Sequence, residues 1–190
     1  MMFVWLTANC NPVLVQRNVN GSRVFDRSWA EFKVGFNDTL GNYWLGNDLL
    51  SYLTLSRPYK LRVEIQARNF SWYYAEYSSF NVSGESSNYT LHMSGYSGDG
   101  GDGFGYHNGM MFTTYDRDND KWSSNNCASY DGAGFWYKSC ASCHVNGYFG
   151  CWCRLDQHAG GYVPDVLNHF AGCADNFDAK KNFQTTNKTQ

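Results

Sequence analysis

The chain predicts an α+β fold, a central antiparallel sheet flanked by short helices with a loop-rich region beyond it. Three observations carry this. Residues 59–66, Tyr-Lys-Leu-Arg-Val-Glu-Ile-Gln, alternate apolar and polar without a break, the period of a half-buried strand. Ser28 stands three residues before Glu31, a capping box, ahead of apolar residues at 29, 32 and 36. The 190 residues hold 14 Tyr, 13 Phe, 7 Trp and 19 Gly against 3 Pro, a composition that favours strands and turns with aromatic packing over a helical bundle.

Taken in order, residues 1–12 are apolar and then turn-like, with no usable periodicity, and read as an N-terminal extension. Residues 13–17 read as a short strand, and Asn20-Gly21-Ser22 as a hairpin-type turn. A helix follows over 28–36, started by the capping box. Tyr43-Trp44-Leu45-Gly46 leads into a second short helix over 47–55 with an Asn or Asp N-cap. Runs at 59–66, 71–82 and 89–93 should pair as an antiparallel sheet. From Gly95 the pattern stops. Gly98, Gly100 and Gly103 fit GxGxxG, but no strand-turn-helix frames them and Asp99 and Asp102 would repel a phosphate, so a turn is expected. The main domain is placed at 13–150, with a divergent tail over 151–190 in which structure is expected to be weaker.

The formal net charge of −2 offers no electrostatic footprint for nucleic acid. Mean hydropathy is −0.53, and no apolar run approaches the length of a membrane span. Six Asn-x-Ser/Thr sequons, at Asn20, Asn37, Asn69, Asn81, Asn88 and Asn187, and seven cysteines fit an extracellular, oxidising setting. The first residues lack the basic region of a secretion signal. His92, His107, His144, His158 and His169 have no recognisable Ser or Cys nucleophile beside them, which argues against an enzyme.

Chemistry gathers at residues 115–127. Asp116, Asp118 and Asp120 stand at alternate positions, followed by short polar residues, and hard oxygen ligands at this density suit Ca²⁺. An EF-hand starting at Asp116 would need Gly at its sixth position and Glu at its twelfth, where the chain has Lys121 and Cys127. A solvated acidic turn is the alternative, since Asp and Asn are turn residues in their own right. A zinc site from Cys140, Cys143, Cys151 and Cys153, with His144 and His158, is a further alternative at an uncommonly close spacing.

From about Leu14 to Gly147 the chain resembles the fibrinogen C-terminal globular domain. The matching words are Val15-Gln16-Arg17, Gly21-Ser22-Arg23-Val24-Phe25-Asp26-Arg27-Ser28-Trp29-Ala30-Glu31-Phe32, Gly35-Phe36, Tyr43-Trp44-Leu45-Gly46, Tyr77-Ser78-Ser79-Phe80, Gly95-Tyr96-Ser97-Gly98, His107-Asn108-Gly109-Met110, Asp116-Arg117-Asp118-Asn119-Asp120, Asn126-Cys127-Ala128 and Trp136-Tyr137-Lys138-Ser139-Cys140, in the family's order. The resemblance implies a fibrinogen-type fold and an extracellular binding module. On the lectin side, with ficolins and tachylectins, it implies calcium-supported recognition of acetylated or charged glycans in innate defence. On the side of fibrinogen chains and angiopoietins it implies a protein-binding or matrix module, and the full-length parent of such a domain can oligomerise.

The resemblance also implies site residues. It points to Ca²⁺ held by the carboxylates of Asp118 and Asp120 and the backbone carbonyls of Trp122 and Ser124. It joins Cys127 to Cys140 as a disulfide, with a cis peptide between Ser139 and Cys140. It makes Tyr130, Asp131, Tyr137 and His144 the ligand-facing set, while Phe135 and Trp136 are better read as core. The chain departs from the family in having Ala141 after the second cysteine, with His144 as the nearest substitute, and in lacking both the family's opening and its closing strand. A truncated product is therefore a further expectation, one whose missing inner strand would expose ladder groups and apolar surface.

Overall fold

The computed structural model describes residues 1–8, 11–21, 23–67, 70–141 and 143–147. Seven strands, β1 (Met2–Ala8), β2 (Asn11–Asn18), β3 (Phe36–Asn37), β4 (Tyr43–Trp44), β5 (Tyr59–Gln66), β6 (Trp72–Val82) and β7 (Leu91–Gly98), form one sheet in the order β3-β4-β2-β1-β5-β6-β7. Every neighbouring pair is antiparallel. With helices α1 (Trp29–Val34), α2 (Asn47–Ser56) and α3 (Cys127–Asp131), this is the expected α+β architecture.

The middle of the sheet differs from expectation. The N-terminal segment is no loose extension: β1 pairs with β2 on one side and β5 on the other. Met2, Val4 and Leu6 point into the core, and Phe3 and Trp5 stack on the opposite face at 5.9 Å. Because β1 satisfies the ladder groups of both neighbours, no inner strand is missing among the described residues, contrary to the expected gap. The sequence shows no alternation here because Phe3 and Trp5 are themselves apolar, so both faces of the strand read alike.

Other elements follow local chemistry. Ser28 and Glu31 form the reciprocal capping box of α1, with the backbone N–H of Ser28 donating to Glu31 Oε2 at 2.9 Å. Helix α2 is capped by Gly46 instead of Asn47, because the Asn47 side chain turns inward to accept from Trp44 Nε1 at 3.1 Å. Gly46, at φ 103°, also sits where a Cβ would meet the Val34 carbonyl oxygen at 2.8 Å, so the end of α1 and the start of α2 can approach only through glycine. The turn at Asn20-Gly21 leads into a 3₁₀ turn at Arg23–Phe25 and then α1, and so does not make a hairpin. Strand β7 runs on to Gly98 where a turn was expected from Gly95, since Tyr96, Ser97 and Gly98 find partners in Tyr77, Glu76 and Ala75 of β6.

The core lies between the inner sheet face and a layer built from α1, α2 and the loops after β7. Phe112 joins the two halves, its ring within 6.2 Å of Trp29, Phe32, Trp44 and Trp136. Trp136 Nε1 donates to the Tyr89 carbonyl at 2.7 Å, and Gln16 Nε2 to the Val145 carbonyl at 2.7 Å. These buried polar contacts fix the loop layer on the sheet. The tail 151–190, and with it Cys151, Cys153, His158 and His169, lies outside the described residues, as do Asn69 and Asn187.

Candidate functional site: the aspartate loop and the adjoining disulfide

The loop begins at a tight reciprocal turn, Thr114 N–H to the Arg117 carbonyl at 3.0 Å and Arg117 N–H to the Thr114 carbonyl at 3.1 Å. This turn hands the three aspartates different work. Asp116 Oδ1 accepts from Trp29 N–H at 2.9 Å and from Thr114 Oγ1 at 2.7 Å, so it docks the loop on the first turn of α1. Arg117 lies 3.9 Å from the Trp29 ring and donates to Asn88 Oδ1 at 2.7 Å. Asn119 donates through Nδ2 to the Phe112 carbonyl at 2.8 Å, anchoring the apex to the core.

Asp118 and Asp120 remain side by side beyond these anchors. Asp120 N–H donates to Asp118 Oδ1 at 3.2 Å. Both Asp120 oxygens are used by backbone: Oδ1 accepts from Trp122 N–H at 2.7 Å and Oδ2 from Cys127 N–H at 2.8 Å. Burial raises the Asp120 pKa, the two N–H donors oppose the rise, and the neighbouring charge of Asp118 adds to it. Neither carboxylate has a salt-bridge partner among the described residues.

This donor set fits a hard cation. Two adjacent carboxylates without a cationic partner, followed by the carbonyls of Trp122 and Ser124, are all oxygen ligands. Among the described residues no three His, Cys, Asp or Glu side chains converge, so such an ion would rest on two carboxylates plus backbone oxygen. A softer metal fares worse, because Cys140 is committed to a disulfide and cannot serve zinc as a thiolate.

Asn126 caps α3, accepting from Ser129 N–H at 2.9 Å, and donates through Nδ2 to the Thr114 carbonyl at 2.9 Å. Cys127 at the start of α3 is bridged to Cys140 across 13 residues, with the Cα atoms 5.1 Å apart. The peptide bond between Ser139 and Cys140 is trans, against the cis bond expected. Cys140 itself takes φ 60°, and this left-handed residue reverses the chain at that point. Lys121 N–H donates to the Lys138 carbonyl at 2.6 Å, laying the aspartate loop along the disulfide loop.

The four residues expected to face a ligand divide into two pairs. Tyr130 is 43% exposed and meets Trp122 edge-on at 5.5 Å, and Asp131 beside it is half-buried. Tyr137 and His144 are instead buried, 2.8 Å apart through the Tyr hydroxyl and Nε2, and that hydroxyl also lies 2.8 Å from the Ala133 carbonyl. Their rings pack on Phe135, which, with Trp136, is core as expected. Tyr137 and His144 therefore brace the loop from within and do not line its outer surface. Burial pushes the Tyr137 hydroxyl well above its ordinary pKa and lowers His144 to about 3. His107, on the other side of Phe135, spans the Trp136 carbonyl at 2.8 Å and Cys143 N–H at 3.3 Å, and burial lowers it to about 4.

Residues 5–165 match the family described as fibrinogen beta and gamma chains, C-terminal globular domain. The chain belongs to this family. It is 43% identical over 152 residues to fibrinogen-like protein A of Apostichopus parvimensis, covering 78% of this chain and 54% of that protein. It is 40% identical over 143 residues to human angiopoietin-related protein 2, covering 74% of this chain and 29% of the relative. The fibrinogen-like globe domain of human ANGPTL2 superposes with a TM-score of 0.67 at 36% identity, covering 80% of this chain and 76% of the other. A lamprey fibrin D-dimer complexed with the peptide Gly-His-Arg-Pro-amide superposes with the same TM-score at 36% identity, covering 76% of this chain and 51% of that one. The chain thus spans about half or less of the length of these two curated relatives.

Within this fibrinogen C-terminal domain, Arg117, Asn119 and Glu85 are the positions that sequence reasoning passed over. Glu85 accepts from Trp29 Nε1 at 2.8 Å, pairs with Lys33, and lies 3.7 Å from Arg117. The only sequence signal was an arginine set between two aspartates, where a site built purely for a cation would avoid positive charge.

Proposed function

We propose that this fibrinogen-type domain is an extracellular recognition module that binds a protein or peptide partner at the surface formed by the aspartate loop and α3. The observation that carries it is the coupling of Asp118 and Asp120 to Cys127, which fixes the exposed Tyr130 against the half-buried Trp122 on a rigid base. Aromatic side chains on a preorganised support suit a protein interface, since little conformational freedom is lost on contact. The similarity to angiopoietin-related protein 2, and to a fibrin domain seen with a peptide, favours this reading over a purely glycan-directed one. Ca²⁺ bound by Asp118, Asp120 and the Trp122 and Ser124 carbonyls would supply a fixed positive charge that holds the loop against α3.

A calcium-supported lectin is the second reading, favoured by the Trp122 and Tyr130 rings, which could stack on a sugar face. The test is a panel of acetylated glycans and a panel of extracellular protein and peptide ligands, probed with the full chain and with Tyr130→Ala. Saturable binding to protein or peptide that Tyr130→Ala abolishes supports the proposal. Saturable binding confined to acetylated glycans replaces it with the lectin reading.

A further inference from the structure

We propose that Asn37 carries an N-linked glycan that guards the β3 edge of the sheet. Asn37 lies on β3, a two-residue strand at the end of the seven-strand order, and its side chain is exposed. It pairs with Tyr43, which pairs with Arg17, which pairs with Phe3, so it belongs to the row on the sheet face turned away from the core. Its amide makes no hydrogen bond among the described residues.

The rest of the sequon is arranged to suit. Asp38 turns its carboxylate into the β3–β4 turn, accepting from Leu40 N–H at 3.0 Å, Asn42 N–H at 2.8 Å and Asn42 Nδ2 at 2.8 Å. Thr39 is left exposed. Three residues to either side of Asn37 stand Val34, 73% exposed, and Leu40, 61% exposed. A strand of two residues offers few ladder groups to another chain, so what is left to cover at this edge is the exposed apolar surface of Val34 and Leu40, and a bulky hydrated group there would cover it.

The other described sequons fit less well. Asn88 has φ 51° and uses its side chain twice, accepting from Arg117 Nη2 at 2.7 Å and donating to Met111 Sδ at 3.3 Å. Asn81 is half-buried in β6, and Asn20 accepts from Asn42 Nδ2 at 3.4 Å.

In the modification, Asn37 Nδ2 bonds the anomeric carbon of an oligosaccharide carried on a polyprenyl diphosphate. The anomeric C–O bond breaks, the lipid diphosphate leaves with its electron pair, and one amide proton is released. The inference rests on the extracellular reading, and the experiment separates the two by sending the full chain through a eukaryotic secretory route behind a supplied leader. Asn37, Asn81 and Asn88 are then mapped by glycosidase release in heavy-oxygen water. We expect Asn37 to be tagged, and Asn37→Gln and Thr39→Ala each to remove the mass of one glycan. We also expect both variants to shift from monomer toward dimer or larger species by light scattering. Recovery of Asn37 unmodified from the secreted chain would overturn the site, and unchanged monomer in both variants would overturn the guarding role.

Discussion

The backbone N–H of Cys127 donates to Asp120 Oδ2 at 2.8 Å, so the aspartate loop and the disulfide loop share one carboxylate. Asp120 is at once a candidate cation ligand and a structural acceptor for two backbone donors, Trp122 and Cys127. Asp118 accepts only from Asp120 N–H among the described residues.

That difference separates the two aspartates by mutation. Asp118→Ala and Asp120→Ala should each abolish saturable Ca²⁺ binding in calorimetry. Without Ca²⁺, Asp118→Ala should leave chemical stability within about 0.5 kcal/mol of the parent, because it lies on the surface. Asp120→Ala should lower it by roughly 1–3 kcal/mol, because two N–H groups lose their acceptor.

Ca²⁺ at a hundredfold excess over its dissociation constant should stabilise the domain by about 2.7 kcal/mol through mass action. Chelation should reverse the gain. Because burial raises the Asp120 pKa, protons should compete with the ion more readily than at an ordinary aspartate, and the measured affinity should fall as pH is lowered.

His107 and His144 set a second pH dependence that does not need the ion. Their folded pKa values, about 4 and about 3, lie below the unfolded value near 6.5, so the unfolded chain binds more protons below that pH. Stability should therefore be constant above about pH 7 and fall as pH drops through 6.5, flattening only below the folded values. The loss between pH 7 and 5 is roughly 2 kcal/mol per histidine. Urea unfolding at the two pH values checks this, and His144→Gln should remove about half of the difference.

Reduction of the Cys127–Cys140 bridge, or replacement of both residues by Ala, should cost roughly 3 kcal/mol in the chain-entropy picture. Thermal melts with and without reductant read it directly. Binding at the Tyr130 surface should fall as well, since α3 starts at Cys127.

Central placement of β1 gives a sharper structural test. A proline at Val4 removes a ladder donor from a strand bonded on both sides and should prevent cooperative folding, whereas Val34→Pro, at the exposed end of α1, should leave a folded domain of lower stability. Circular dichroism and a denaturant titration distinguish the outcomes.

Local chemistry written in short stretches was legible in the chain itself. The capping box at Ser28 and Glu31, the alternation over Tyr59–Gln66, the antiparallel trio β5, β6 and β7, and the order of the family's words all stand in consecutive residues. Each depends on neighbours within a few positions, or on a one-dimensional order. Tertiary structure alone decided what depends on distant partners. It placed the aperiodic Met2–Ala8 at the sheet centre, committed Asp116 to Trp29 N–H 87 residues away, and buried Tyr137 against His144. A carboxylate or a ring has the same composition whether it faces an ion, a backbone donor or the core. Only the fold brings the partner that settles which of these it meets.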